Sequence, residues 1–282
     1  MTTSITPLRL TFGGGGSDLT HQRGICLSAT INKYVTVTVT PTWSDSYTLH
    51  YSQFEKVTDP TQIAHRIIRK IICGQKVAPG IQVSSIGEIP AGTGLGSSGA
   101  FTIGLLRALH PYAHRAQLVE WACDYDLGQQ DQWSAAYGGW NVFDFAEGVV
   151  RPINTTLTAD DFTLCYTGLH HDAAQLLTGP AKPMDVAQAE VLHAVTAIED
   201  GDLAELGYQF TSQWKHKYAA CPSAEHHLID GWIEAGINNG AYGGKLIGAG
   251  NGGFILFAGD PGLVDGLLRT PFEFTDEGTR CV

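Results

Sequence analysis

Polar and apolar positions along this chain switch between two periods. Residues 7–12, Pro-Leu-Arg-Leu-Thr-Phe, alternate, as do Val35, Val37 and Val39 with threonines between them. Period two marks a half-buried strand, and Val/Thr runs favour one. Residues 25–39 lead into that second strand. Further strands are predicted over 81–86, 141–145, 162–168 and 254–257, and a hairpin over 43–58, where Tyr47, Leu49 and Tyr51 alternate. Helical spacing replaces alternation over 61–73: Ile63, Ile67, Ile68, Ile71 and Ile72 form an apolar face, with His65, Arg66, Arg69 and Lys70 between them. Apolar patterns of helical length also cover 101–109, 114–126, 183–200, 202–220 and 225–236.

Three glycine-rich stretches interrupt the pattern. The first, Gly13 to Gly16 followed by Ser17 and Asp18, ends the first strand; four glycines in a row imply backbone passing close to something. There Asp18 is a candidate acceptor for sugar hydroxyls and Arg9 a fixed cation. The second runs from Pro90 through Gly92, Gly94, Leu95, Gly96, Ser97 and Ser98 to Gly99, directly before an apolar helix. Such a turn aims free N–H groups and the positive end of the helix dipole at one point, which favours phosphate. The two serines are candidate caps, and either hydroxyl is within the repertoire of a metal ligand. No Gly-Lys-Ser/Thr follows, so this is not a Walker A loop, and the spacing is not that of a dinucleotide fingerprint. The third, residues 243–253, is glycine-rich and then strand-like. Between the second and third lies Gln129-Gln130-Asp131-Gln132, a polar cluster followed by small residues and paired glycines. An acid there serves equally well as a general base for a hydroxyl or as a helix N-cap.

Four strings carry a resemblance. PAGTGLGSSGA is similar to the P-x-x-x-G-L-G-S-S-A-A motif of the GHMP small-molecule kinases, with Gly99 in an alanine position, which should loosen the first helical turn. PLRLTFGGGGSDLT, GQQDQWSAAYGG and GGKLIGAGNGGF resemble segments of the D-glycero-D-manno-heptose 7-phosphate kinases and fucokinases in that superfamily. Asn32 stands where that pattern has an acid, Gln129 where it has a lysine, His170 and His171 where an arginine is usual, and Asn251 where it has glycine.

The resemblance implies an α+β, two-domain GHMP kinase fold. Its N-terminal domain is ribosomal protein S5 domain 2-like and its C-terminal domain ferredoxin-like; the Thr-rich stretch 151–160 sets the expected division into 1–155 and 156–282. It further implies an ATP-dependent phosphotransferase with an alcohol acceptor. Asp131 takes the hydroxyl proton and Arg9 steadies the transferred phosphate. Pro90, Gly92, Gly94, Leu95, Gly96, Ser97, Ser98 and Gly99 bind ATP. Gly15, Gly16, Ser17, Asp18, Lys33, Gln130 and Gly250 bind the acceptor. Ser98 and an acid of the preceding helix, Asp124 with Glu120 and Asp126 as alternatives, hold Mg2+. The expected acceptor is D-glycero-D-manno-heptose 7-phosphate. A fucose-like or other sugar is the runner-up, and a catalytically silent nucleotide- or sugar-binding homologue is the alternative from another class.

Composition narrows the partners. The chain has 282 residues, 43% hydrophobic and 16% charged, with a formal net charge of −11. Nucleic-acid binding needs clustered basic residues and is excluded by that balance. No apolar run reaches membrane-spanning length and the N-terminus lacks signal-peptide features, so a cytoplasmic protein is expected. Six scattered cysteines without C-x-x-C spacing read as reduced thiols.

Overall fold

A computed structural model describes residues 1–19, 24–123, 128–169, 182–220, 224–248 and 252–282. Two antiparallel strands begin it. Thr2–Gly13 (β1) pairs along its length with Ile25–Pro41 (β2), a strand of 17 residues. β2 is long enough to take two neighbours on its other edge. Its first half pairs with Trp140–Asp144 (β6), which pairs in turn with Val149–Pro152 (β7). Its second half pairs with Ile81–Gly87 (β5), and Tyr47–His50 (β3) and Phe54–Val57 (β4) continue that side. Of these pairings only β3 with β5 is parallel.

Helices cover this sheet. Arg66–Gly74 (α1) is shorter than the isoleucine pattern predicts, because the side chain of His65 caps it by accepting from the N–H of Ile68, and residues 60–62 form a separate 3-10 turn. Ser97–Leu109 (α2) lies on β1 and β2. It comes close enough for Ser4 Oγ to donate to the Gly104 carbonyl at 2.7 Å. Arg115–Cys123 (α3) and Gln129–Tyr137 (α4) follow. From Thr6 onward β1 is buried on both faces, since α2, α4 and a later helix all pack against it. The alternation that predicts β1 therefore does not separate a wet face from a dry one.

The second layer is an antiparallel sheet in the order β11-β8-β10-β9, built from Phe162–Tyr166 (β8), Gly243–Leu246 (β9), Phe254–Ala258 (β10) and Leu268–Arg269 (β11). Met184–Asp200 (α5), Leu203–Ala220 (α6) and Ala224–Asn238 (α7) accompany it. α5 packs on β1 and β2 as well as on α6, so it joins the layers. One apolar core runs through both. At its centre Phe12 meets Trp140 at 4.4 Å, Phe162 at 5.6 Å and Phe210 at 5.8 Å between ring centroids. The chain end returns to the first sheet: Arg280–Cys281 (β12) pairs with β1, and the side-chain oxygen of Asn32 accepts from the Glu273 N–H at 2.8 Å. None of the described cysteines forms a disulfide, and among the described residues no helix is long and apolar enough to cross a membrane.

Phe12 is fully buried where the layers meet. Truncation to alanine empties that junction, and Phe12→Ala should lower unfolding free energy by about 3–5 kcal/mol, measured by urea denaturation followed by tryptophan fluorescence.

Candidate active site

The site forms where three loops and two helix N-termini converge on Arg9. This residue sits on β1 with its side chain only 4% exposed. Nε and Nη2 donate to Oδ1 of Asp131 at 2.9 and 2.6 Å, and Nη1 donates to the Gly94 carbonyl. The Arg9 N–H also donates to the Leu95 carbonyl at 3.0 Å. A single arginine thereby ties β1 to the loop before α2 and to the first turn of α4. Gly128 occupies the N-cap of α4, so Asp131 lies inside the helix and its carboxylate turns to Arg9 rather than capping its own backbone. Both guanidinium donors fall on Oδ1.

The start of α2 differs from the expected capped form. Gly96 is the N-cap, in the left-handed region at φ 80°, and no side chain caps the helix. Neither Ser97 nor Ser98 takes that role, because glycine reaches this backbone conformation and serine does not do so readily. The first-turn N–H groups are left without intrahelical acceptors, which is the arrangement that attracts an anion. Ser97 Oγ is buried with no hydrogen-bond partner among the described residues. Ser98 is exposed, as are Pro90 and Gly92, whereas Leu95 is fully buried and offers only backbone. An uncapped helix end with an orphaned hydroxyl fits a triphosphate.

Gly99 has a different role from the one its sequence position suggests. A methyl group there would lie 2.4 Å from Cβ of Asp131. The glycine does not merely loosen a helical turn; it lets α2 and α4 approach until the Asp131 carboxylate reaches Arg9. The third glycine stretch works similarly. A methyl group on Gly94 would lie 2.3 Å from the Ile247 carbonyl oxygen, and one on Gly248 would lie 2.3 Å from Gly94 Cα. The β9–β10 connection is thus laid backbone to backbone on the loop before α2.

Asp18 is buried beside this pair. Its Oδ2 accepts from the Gln130 N–H at 2.9 Å, so it supports the first turn of α4 across the chain. Burial, reinforced by the Asp131 charge, raises its carboxyl above the usual range, against the lowering pull of the Gln130 N–H and Arg9. Gly15 and Gly16 lie in the turn before it, and Ser17 Oγ bridges the Ile25 N–H and carbonyl at 3.1 and 2.9 Å. Gln130 brings a buried Oε1 without a partner among the described residues. Lys33 lies in a β-bulge between the Leu8–Ile31 and Pro7–Tyr34 pairs, and no hydrogen bond or ion pair joins it to this cluster. Glu120 is exposed on α3; Asp124, Asp126, His170, His171, Gly250 and Asn251 lie outside the described residues. No group of three or more His, Cys, Asp or Glu able to hold a metal occurs among the described residues.

Four residues that sequence reasoning missed complete the surroundings. Glu190 of α5 accepts from the Gly14 N–H at 3.0 Å and pairs with Lys182 at 2.6 Å, while the Lys182 N–H donates to the Gly16 carbonyl at 3.2 Å. Lys245 of β9 donates to the Phe12 carbonyl at 2.9 Å and to Gln213 at 2.8 Å, and lies over the Phe210 ring. Lys217 of α6 donates to the Gly248 carbonyl. Lys245 stands inside the third glycine string, where it could be noticed. Glu190 and Lys217 have no local signal; Glu190 meets Gly14 across 176 positions of chain. A separate cleft of about 420 Å³ opens near the opposite end of α2, lined by Arg107, Tyr112, His114, Arg115 and Asp276 among others. None of the residues of the Arg9–Asp131 cluster lines it.

Comparison with known proteins agrees with this architecture. Residues 61–139 match the GHMP kinases N terminal domain. The D-glycero-alpha-D-manno-heptose 7-phosphate kinase of Campylobacter jejuni is 24% identical, with 98% of this chain and 97% of that protein aligned. A crystal structure of a D-glycero-D-manno-heptose 1-phosphate kinase from Bacteroides thetaiotaomicron superposes with a TM-score of 0.75 at 22% identity, covering 100% of this chain and 99% of that one. Streptococcus pneumoniae phosphomevalonate kinase, in complex with phosphomevalonate and AMPPNP, gives a TM-score of 0.79 at 18% identity over 98% and 100% of the two chains. The chain therefore has the two-layer α+β fold of these kinases.

Two outcomes test the geometry. Gly99→Ala drives a methyl group into Asp131 and should destabilise the protein by about 1–3 kcal/mol, read as a lower denaturation midpoint, although alanine ordinarily favours a helix. Because Asp18 has a raised folded-state pKa, its ionisation opposes folding, and stability falls as pH rises above 3.8, the ordinary aspartate value. Asp18→Asn keeps an acceptor for the Gln130 N–H without the buried charge. The variant should unfold at higher denaturant concentration than wild type at pH 7, and the gap should close on acidification.

Proposed function

We propose that the protein is an ATP-dependent sugar kinase that phosphorylates a hydroxyl of D-glycero-D-manno-heptose 7-phosphate. The observation that carries this reading is the Arg9–Asp131 pair directly beneath the uncapped N-terminus of α2. Bound ATP would supply the γ-phosphoryl group. The N–H groups of Ser97 and Ser98, with the Ser97 hydroxyl, hold the nucleotide's phosphates; Gly94 and Gly96 shape the loop that lets them approach. Asp131 orients the acceptor hydroxyl and takes its proton through Oδ2, since Oδ1 is engaged by Arg9. Arg9 keeps the carboxylate aimed and offsets negative charge that builds on the transferred group. This is the general route for phosphoryl transfer, in which positioning and charge neutralisation supply most of the acceleration. Mg2+ belongs to the same proposal, held by the exposed Ser98 hydroxyl and an acid from the end of the preceding helix, Asp124 in the first instance. The acceptor itself is proposed from the heptose phosphate kinase relative and from the glycine loop 13–16, whose neighbour Asp18 accepts from the Gln130 N–H beside Asp131.

Coupled ADP release with heptose 7-phosphate, fucose and other sugars tests the reading directly; no sugar-dependent ADP with any acceptor would leave a silent binding protein. Asp131→Asn should lower kcat by about 10²–10⁴-fold while the affinity for AMPPNP stays within about twofold of wild type. Turnover at the wild-type rate would remove Asp131 from the mechanism.

A further inference from the structure

The cleft near the far end of α2 takes no part in the site described so far, and its charges are unbalanced. It holds about 420 Å³, a size that suits a small molecule. Arg107 of α2 and Arg115 at the start of α3 line it, and Asp276 is the single carboxylate among its described lining residues. Neither arginine makes an ion pair among the described residues. Glu277, the next acid along the chain, is taken by Arg280 at 2.7 Å. Arg107 is half-buried. Its Nη1 donates to the Pro111 and Ala113 carbonyls at 3.1 and 2.8 Å, which shapes the turn between α2 and α3. Its Nε is buried with no hydrogen-bond partner among the described residues. Burial also pulls this guanidinium below its ordinary value, as expected of a cation short of both water and a counter-charge. Arg115 lies over the Tyr137 ring, 5.2 Å from its centroid, a contact that holds its planar fork in place.

Two guanidinium forks against one carboxylate leave a net positive cleft, which an anion balances. Forked donors match phosphate oxygens two at a time, and a phosphate monoester carries close to two negative charges at neutral pH. Asp276 repels the phosphate itself. It suits the other end of a ligand, where a carboxylate accepts from hydroxyls. The Tyr137 face is already covered by Arg115, which leaves no flat platform there for a base. We propose that this cleft binds a small phosphorylated polyol, such as a pentose phosphate, with its phosphate held by Arg107 and Arg115 and its hydroxyls by Asp276. The site is separate from the Arg9–Asp131 cluster, none of whose residues line it. It does not depend on the sugar-kinase reading.

Isothermal titration of the full chain, saturated with AMPPNP, with ribose 5-phosphate, ribose and inorganic phosphate tests the cleft. Wild type should bind ribose 5-phosphate at least about tenfold more tightly than ribose, and Arg115→Gln should erase most of that difference. Asp276→Asn should weaken ribose 5-phosphate by about threefold or more, while inorganic phosphate binds at least as tightly as to wild type. Both variants should keep AMPPNP affinity within about twofold of wild type, which shows them folded. No binding of ribose 5-phosphate by wild type overturns the proposal. So does binding that Arg115→Gln leaves unchanged, which would place the ligand in the acceptor site near Asp131. An Asp276→Asn variant that binds ribose 5-phosphate as tightly as wild type, or more so, would remove the hydroxyl contact and overturn the polyol assignment. A chain that takes ribose 5-phosphate through Arg115 but no AMPPNP would sink the kinase reading and keep the cleft.

Discussion

The guanidinium of Arg9 is the constraint on which the rest of the site depends. It is buried on a strand covered by helices, and it bonds a carboxylate from α4 and a carbonyl from the loop before α2. A buried ion pair adds little net stability, because desolvation offsets most of the attraction. Breaking one is expensive, since the surviving charge has nowhere to go. The pair therefore acts as a locator: it leaves one low-energy arrangement of three segments that are far apart in the chain. Asp18 strengthens that choice by accepting from the Gln130 N–H one residue before Asp131.

Close backbone approach makes the arrangement possible. Gly99 lets α2 touch the α4 residue that must reach Arg9, and Gly94 meets Gly248 with no side chain between them. Any Cβ at these contacts would overlap the facing atoms and force the two segments apart. The glycine strings are thus complementary surfaces as much as flexible loops. Their spacing in the sequence reflects which loops stack on which.

Charge follows the same logic. The chain is acidic overall, at −11, yet basic side chains gather at β1 and the turn after it: Arg9 on the strand, Lys245 at the Phe12 carbonyl and Lys182 at Gly16. Net charge governs solubility and long-range encounters, whereas binding responds to the local field. Burial without a full set of counter-charges makes that local field strong.

Much of the architecture was legible in the order of residues. Strand and helix periods are local properties, so β2, α2, α5 and α6 appear within a few residues of their predicted ends. The four strings resembling sugar kinases marked Arg9, Asp131 and the loop before α2, because glycines, an acid and capping-type residues cluster there over short spans. α1 starts later than the isoleucine spacing predicts, because a histidine cap, which pattern reading does not register, sets its start at Arg66. What only the tertiary structure decided are contacts between distant positions: the packing of Gly99 on Asp131, the support Asp18 gives to α4, and the arrival of Glu190 at Gly14. A sequence records which groups are available and what each favours locally. Which of them meet depends on how the two layers pack together, a property of the whole chain rather than of any short stretch of it.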